Sequence, residues 1–334
     1  MPGFSARPDR FTTGLIISVG AGLLLPCTGI WGEIFSRLSD TAIILLFFLY
    51  GAKLSRRSVR EGLLHWRLQG LVAAGTFIVF PLLGLLSMPV WGAALGPELC
   101  MGLLYVCMLP STVQSSIAFT SMAGGNVAAA ICAASVSSLL GVFLTPLLVG
   151  LVWGGGGNGG GVDCSTFLNI CSIILVPFVM GQITQRWIGP WVASHKNVTS
   201  WTDHSTIWLV IYTAFSHAME QGVWKNLPWF SLVGVLFFCG VLLAAALCIM
   251  AFLSRRLHFS REDRIAIIFC GSKKSMATGI PMMNVIFAGS PIGLLVIPLM
   301  VFHQLQLMAC SILARKWGCE KGNATGQEKE GETP

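Results

Sequence analysis

The chain has 334 residues, 54% of them hydrophobic and only 10% charged, with a mean hydropathy of +0.75. A soluble domain carries about a quarter charged residues, so that class is excluded, and apolar runs of about 20 residues recur that can each cross a bilayer core of about 30 Å. The formal charge of +7 does not mark a nucleic-acid partner, because the basic residues are confined to short loops between apolar runs, where they set topology.

The first run, Phe11 to Leu25, follows Arg7 and Arg10 and ends at Pro26-Cys27, the outline of a secretory or lipoprotein signal. Cleavage wants a small residue before the cut and Pro26 is a poor one, so this run reads as a retained first helix, with a cleaved signal as the alternative. Spans are expected at about 11 to 30, 38 to 53, 68 to 88, 99 to 122, 126 to 153, 165 to 185, 205 to 222, 229 to 253, 263 to 287 and 292 to 314. The chain is thus expected to be an all-α polytopic membrane protein with ten transmembrane helices; nine is the alternative count, because two spans carry polar interruptions.

A cytoplasmic N-terminus places Lys53, Arg56, Arg57, Arg60, Arg67, Arg186, Lys196, Arg255, Arg256, Arg261 and Arg264 inside, with Arg7, Arg10, Arg315, Lys316, Lys321 and Lys329. Only Arg37 and Lys225 remain outside. Such asymmetry predicts an even number of spans with both termini cytoplasmic.

Gly154-Gly-Gly-Gly-Asn-Gly-Gly-Gly161 is a flexible linker by composition, close to the middle of the chain. The expected organisation is a first five-helix repeat over 1–153, a glycine-rich linker over 154–164, a second five-helix repeat over 165–314 and a disordered cytoplasmic tail over 315–334. Thr41-Ala-Ile-Ile-Leu-Leu-Phe47 echoes Thr206-Ile-Trp-Leu-Val-Ile-Tyr212, and Leu144-Thr-Pro-Leu-Leu-Val149 echoes Val296-Ile-Pro-Leu-Met-Val301. An odd number of spans per half inverts the second half, the pattern of secondary transporters, whose interrupted helices meet at the midplane.

The fourth and ninth spans hold matching places in the two halves, and both are interrupted. The fourth contains Leu109-Pro-Ser-Thr-Val-Gln-Ser-Ser-Ile117, followed by Ala123-Gly-Gly-Asn126. The ninth contains Cys270-Gly-Ser-Lys-Lys-Ser-Met-Ala-Thr-Gly-Ile-Pro281, where two adjacent lysines sit in a segment otherwise apolar enough to be embedded. Charges at bilayer depth are costly and usually face a water-filled cavity, which makes Lys273 and Lys274 candidate site residues. Neighbours on a helix diverge by about 100°, so at most one is expected to point inward. The other reading has the pair nearer the interface, snorkelling to water.

Ser272 and Ser275 flank the lysines, and Thr112, Gln114, Ser115 and Ser116 offer oxygens to a substrate or cation from the fourth span. Each hydroxyl has the alternative of bonding back to its own helix. Asn126 reads as a helix cap or a ligand, and Ser135, Ser137 and Ser138 as ligands or as small residues for close helix packing. His303, Gln304 and Gln306 interrupt the tenth span; His303 reads as a structural residue or a proton relay, and His303 and Gln304 are candidate site residues. All fourteen acidic residues are placed in loops, at span ends or in the tail, so cation binding would rest on carbonyls, amides and hydroxyls. The eleven cysteines show no CxxC or Cys/His spacing and read as small buried hydrophobes; no metal site or cofactor is expected from them.

These segments resemble the bile acid:sodium symporter superfamily, closest to its bacterial YfeH-type, SBF-like branch, which includes the eukaryotic seventh member of solute carrier family ten. The resemblance runs from about 10 to 315 and is most specific in 109–126, in Leu139-Leu-Gly-Val-Phe-Leu-Thr-Pro146, and in Ile268-Phe-Cys-Gly-Ser-Lys-Lys-Ser275 with Gly279-Ile-Pro281. It implies a panel domain and a core domain, with the fourth and ninth helices broken and crossing, in a bacterial inner (plasma) membrane. Better-known members hold two sodium ions with hydroxyls and an amide of helices four and five and an acidic motif of helix nine. Here Ser115 or Ser116 matches the helix-four hydroxyl, Ala130 and Ala134 stand at the helix-five positions, and Gly271-Ser-Lys-Lys274 replaces the acidic motif.

The expected function is a secondary carrier, working by alternating access, for a small organic anion held near Lys273 or Lys274 and the polar groups of the fourth span. Sodium, where it is coupled, would lie on Gln114, Ser115 and Ser116, and a lysine ammonium can also replace a bound cation. The alternative, implied by eukaryotic relatives, is a regulator of cellular calcium homeostasis. No nucleophile-base pair or metal set can be assembled within the spans, so an enzyme is not expected, and the oligomeric state is open.

Overall fold

The computed structural model describes residues 10–53, 65–92, 94–153, 164–220, 222, 228–288 and 290–330, and the regular elements among them are helical. They are α1 (Arg10–Leu24), α2 (Gly29–Lys53), α3 (Trp66–Ala74), α4 (Phe80–Gly92), α5 (Pro97–Met108), α6 (Gln114–Met122) and α7 (Val127–Trp153). There follow α8 (Cys164–Ser194), α9 (Lys196–Glu220), α10 (Trp229–Arg256), α11 (Arg261–Gly271), α12 (Met276–Ile286) and α13 (Ile292–Glu330). One turn of π-helix, Gly75–Val79, joins α3 to α4.

By length and composition, five runs suffice to cross a membrane: Gly29–Lys53, Trp66–Gly92, Val127–Trp153, Trp229–Arg256 and Ile292–Cys319. Their outer faces carry large apolar side chains such as Leu86, Phe237, Phe252 and Ile312, all more than half exposed, a surface suited to hydrocarbon and not to water. Expected spans four and nine are each a pair of short helices. α5 ends where Pro110 lacks an N–H and holds Leu109 extended, at φ −76° and ψ 153°; α6 resumes at Gln114. α11 ends at Gly271 with Ser272 as its C-cap, and α12 begins after Ser275, whose Oγ accepts a hydrogen bond from Thr278 N at 3.3 Å as an N-cap does.

Three expectations are corrected. α2 begins at Gly29 and not at 38, since Glu33, Ser36 and Arg37 interrupt the apolar run without breaking the helix. Asp40 therefore lies near the middle of α2, not at a span end. The segment from 315 onward, expected as a disordered tail, stays helical to Glu330. Its start is anchored: Arg261 donates to the Trp317 carbonyl at 3.0 Å, and the Trp317 ring lies 5.4 Å from that of Phe269. The glycine-rich stretch 154–161 lies outside the described residues.

The chain forms two compact units, one of Met1–Lys53, Ser165–Pro228 and Ile280–Val296, the other of Leu54–Cys164, Trp229–Gly279 and Ile297–Pro334. In the first, Gly51 and Gly181 let the backbones of α2 and α8 touch: a Cβ on Gly51 would strike the Phe178 carbonyl and one on Gly181 the Phe48 carbonyl. Gln182 Nε2 donates to the Gly51 carbonyl at 2.6 Å, and Lys53 pairs with Asp203 at 2.6 Å. In the second, buried residues of α3, α7, α10 and α11, among them Leu68, Ala130, Ala134, Met250 and Ile267, form the core beneath the two helix breaks.

Candidate functional site at two helix breaks

The two breaks meet inside the second unit. Ser275 N donates to the Pro110 carbonyl at 2.8 Å, joining one interruption directly to the other, and Tyr105 Oη donates to the Gly279 carbonyl at 2.8 Å. Small residues permit this approach. A Cβ on Gly279 would lie 2.6 Å from Leu109 Cδ1, and one on Gly141 2.5 Å from the Pro110 ring. Ser111 N donates to Ser137 Oγ at 3.0 Å and Thr145 Oγ1 to the Met108 carbonyl at 2.8 Å, so α7 satisfies backbone groups freed where α5 stops.

Lys273 and Lys274 are both fully buried here, at 0% exposure, and their surroundings differ. Lys274 Nζ donates to the carbonyls of Thr76, Cys107 and Leu109 at 2.8, 2.9 and 2.7 Å, using all three ammonium protons. The Phe80 ring closes the remaining side, 4.1 Å away. The acceptors follow from local geometry: Thr76 lies in the π turn, where the α-helical bonding register slips, and Cys107 and Leu109 lie at the electronegative C-terminal end of α5. Gln306 holds the Lys274 peptide from both sides, accepting from its N–H and donating to its carbonyl, each at 2.8 Å.

Lys273 Nζ has no hydrogen-bond partner among the described residues. It sits 4.2 Å from the centre of the Phe119 ring and 5.3 Å from that of Phe269. Aromatic faces attract a cation but accept none of its N–H bonds, so this charge is buried without an anionic or carbonyl partner. The hydroxyls of Ser111, Thr120 and Thr278, on the same segments, are likewise buried without a hydrogen-bond partner.

The other sequence candidates divide. Thr112 Oγ1 lies 2.8 Å from Ser115 Oγ and 3.3 Å from Ser116 Oγ, and Ser116 Oγ donates to the Phe269 carbonyl at 3.2 Å, so these hydroxyls bridge the two breaks. Ser272 bonds back to the Ile268 carbonyl at 2.6 Å. Asn126 caps α7 through Ala129 N at 3.0 Å and reaches Asp263 at 2.8 Å. His303 Nδ1 lies 2.9 Å from Gln306 Nε2, Gln304 is half-buried, and Gln114 is exposed. Thr76 and Tyr105 had no place in the sequence reading, Thr145 only as part of two quoted motifs, and Gln306 only as an interruption of its span. Its polarity in an apolar run was the available signal, whereas the Thr76 carbonyl leaves none. No group of three His, Cys, Asp or Glu that could hold a metal ion occurs among the described residues.

The first unit has a separate polar cavity of about 280 Å³, lined among others by Ser36, Asp40, Thr213, His217 and Asn284.

Residues 9–318 match the model of the SBF-like CPA transporter family. An uncharacterized protein of Pseudomonas aeruginosa is 52% identical over 317 residues, 95% of each chain. YfeH of Escherichia coli, which carries the name of a symporter, is 49% identical over 309 residues, 92% of each chain. Sodium/bile acid cotransporter 7 of Mus musculus is 32% identical over 319 residues, again 92% of each. The Escherichia coli and mouse relatives are named as a symporter and a cotransporter, not as enzymes.

Proposed function

The chain belongs to the SBF-like CPA transporter family, a multi-pass secondary transporter, and from that premise we propose that it carries a small organic anion by alternating access with Lys273 as the anion's partner. The observation behind this is the contrast between the lysines. Lys274 is saturated by carbonyls, whereas Lys273 is a buried ammonium with three unused N–H donors. A buried, unpaired charge is costly, and a carboxylate or sulfonate of a substrate would relieve it by charge-assisted hydrogen bonds. The hydroxyls of Ser111, Thr120 and Thr278, also buried without a hydrogen-bond partner, lie on the same interrupted spans.

The mouse relative's name speaks of sodium and bile acid. For this chain, sodium would rest on the hydroxyls of Ser115 and Ser116 with Thr112, close to the same breaks; Gln114, exposed, would be its weakest ligand. Helices α5 with α6 and α11 with α12, counted as broken spans, support the ten-span reading with repeats over 1–153 and 165–314. That each compact unit draws segments from both repeats supports a panel and core division. The family supports an inner-membrane location, and the charge asymmetry supports cytoplasmic termini.

The test is a thermal-shift screen of purified protein in detergent against organic anions, bile acids included, with sodium and potassium compared. An anion that binds only the folded protein raises its melting temperature in proportion to saturation. The expected result is stabilisation by at least one anion in wild type, lost in Lys273→Ala and partly kept in Lys273→Arg. An equal anion response in wild type and Lys273→Ala would overturn the assignment.

A further inference from the structure

We propose that the Lys274 ammonium is a monovalent cation tethered to the chain, filling a backbone-carbonyl cage that binds a free alkali-metal or ammonium ion when the side chain is shortened. This deepens the transporter reading by assigning one cation position of the site to the protein itself.

The cage is made of main-chain oxygens alone, at 2.7 to 2.9 Å from Nζ, and nothing in it is specific to a lysine. Carbonyl rings of this kind replace the hydration shell of a bound monovalent cation. The three oxygens point together for reasons that precede the lysine. The π turn at Gly75–Val79 displaces the α-helical register around Thr76, and the break after Met108 leaves the last carbonyls of α5 without helical partners. Their dipoles add to a negative helix end, so the pocket favours a cation whatever its origin. The Phe80 ring, 4.1 Å from Nζ, adds a negative face without adding a ligand. Among the described residues no carboxylate takes part in the contacts of Nζ, so the positive charge is balanced by dipoles, as for an ion in a carbonyl filter. The Lys274 backbone is fixed separately by Gln306, which leaves the side chain free to be shortened without releasing the break. With its cation covalently attached, the carrier draws no soluble ion at this position during transport.

The experiment compares purified wild type, Lys274→Ala and Lys274→Ser in detergent with ammonium, sodium, potassium or choline chloride at constant ionic strength. Both variants are expected to melt below wild type in choline. Ammonium or one alkali cation should then raise their melting temperature saturably, by about 5 °C or more, with no matching rise in wild type. Lys274→Met, which fills the space with an apolar side chain, should gain nothing from any cation. Variants that respond no more to small cations than to choline overturn the proposal, as does an equal response in wild type. Should a variant aggregate during purification in choline, monodisperse recovery in ammonium supports the cage, and equal aggregation in both overturns it. Anion binding is not read in this experiment. Rescue by cations alongside an unchanged anion response in Lys273→Ala would remove Lys273 from the anion site and leave the cage standing.

Discussion

Lys273 and Lys274 are neighbours in sequence with opposite circumstances, and the reason lies outside their own segment. Helical periodicity predicted that they diverge and that at most one points inward; both are fully buried, because the segment between α11 and α12 is not helical and the partners of Lys274 come from residues 76, 107 and 109. Side chains whose chemistry is local were more legible. Asn126 and Ser275 cap helices, and Ser272 bonds back to its own turn. Gln306 was visible as a polar interruption, and its geometry carries a prediction. Gln306→Leu leaves the buried N–H and carbonyl of Lys274 unpaired, which should cost about 2 to 6 kcal/mol, at about 1 to 3 for each lost partner. Gln306→Glu keeps an acceptor for the N–H but loses the donor to the carbonyl, and Gln304→Leu, at a half-buried position, should be nearly neutral. Thermal unfolding of the three variants in one detergent checks the order; equal stability of Gln306→Leu and Gln304→Leu would remove the clamp from the account.

At the scale of elements, the positions of both breaks were legible because proline, glycine and clustered hydroxyls sit in otherwise apolar runs, and a break of this kind is tolerated only where other groups satisfy the backbone. The partner that supplies them was not legible. The sequence marks the serines of α7 as ligands or packing residues, not as partners of another helix's backbone, yet Ser137 and Thr145 serve the end of α5 and Gly141 admits the Pro110 ring. A rigid pyrrolidine cannot turn aside as a long side chain can. Gly141→Ala should therefore destabilise the protein by about 1 to 3 kcal/mol and reduce transport, as overpacking does. Gly240→Ala in α10, where an added Cβ meets nothing within 4 Å, should be neutral or stabilising by up to about 1 kcal/mol, the helix-propensity gain over glycine. Melting temperatures of the two variants decide it, and a stable, fully active Gly141→Ala would mean that the contact is not tight. The boundaries of α2 and α13 were misjudged for one cause: hydropathy tracks the membrane, whereas helix continues wherever the backbone is not interrupted.

For the whole molecule, composition alone established the membrane class, while the division into two compact units could not be read from a linear order of spans, since each unit takes segments from before and after the glycine-rich stretch. Orientation is still a matter of charge. With Arg255, Arg256, Arg261 and Arg264 between α10 and α11 on the cytoplasmic side, the stretch between α9 and α10 falls outside. Alkaline phosphatase inserted after Asn226 should be active, and a fluorescent protein fused after Pro334 should fluoresce in the cytoplasm; the reverse pattern would invert the topology and with it the sidedness of the site. The surroundings of Lys274 raise a different point about ancestry. Its three acceptors are main-chain atoms drawn from two places in the chain, one of them a π turn. Exchanging the residue types at 76, 107 or 109 leaves those oxygens where they are, so related chains could diverge freely there and keep the cage. Length is what edits it. A π turn is a one-residue insertion accommodated inside an α-helix, and deleting one residue from Gly75–Val79 would restore the ordinary register and withdraw the Thr76 oxygen while both flanks stay in place. The heredity of this feature lies in gaps rather than in letters.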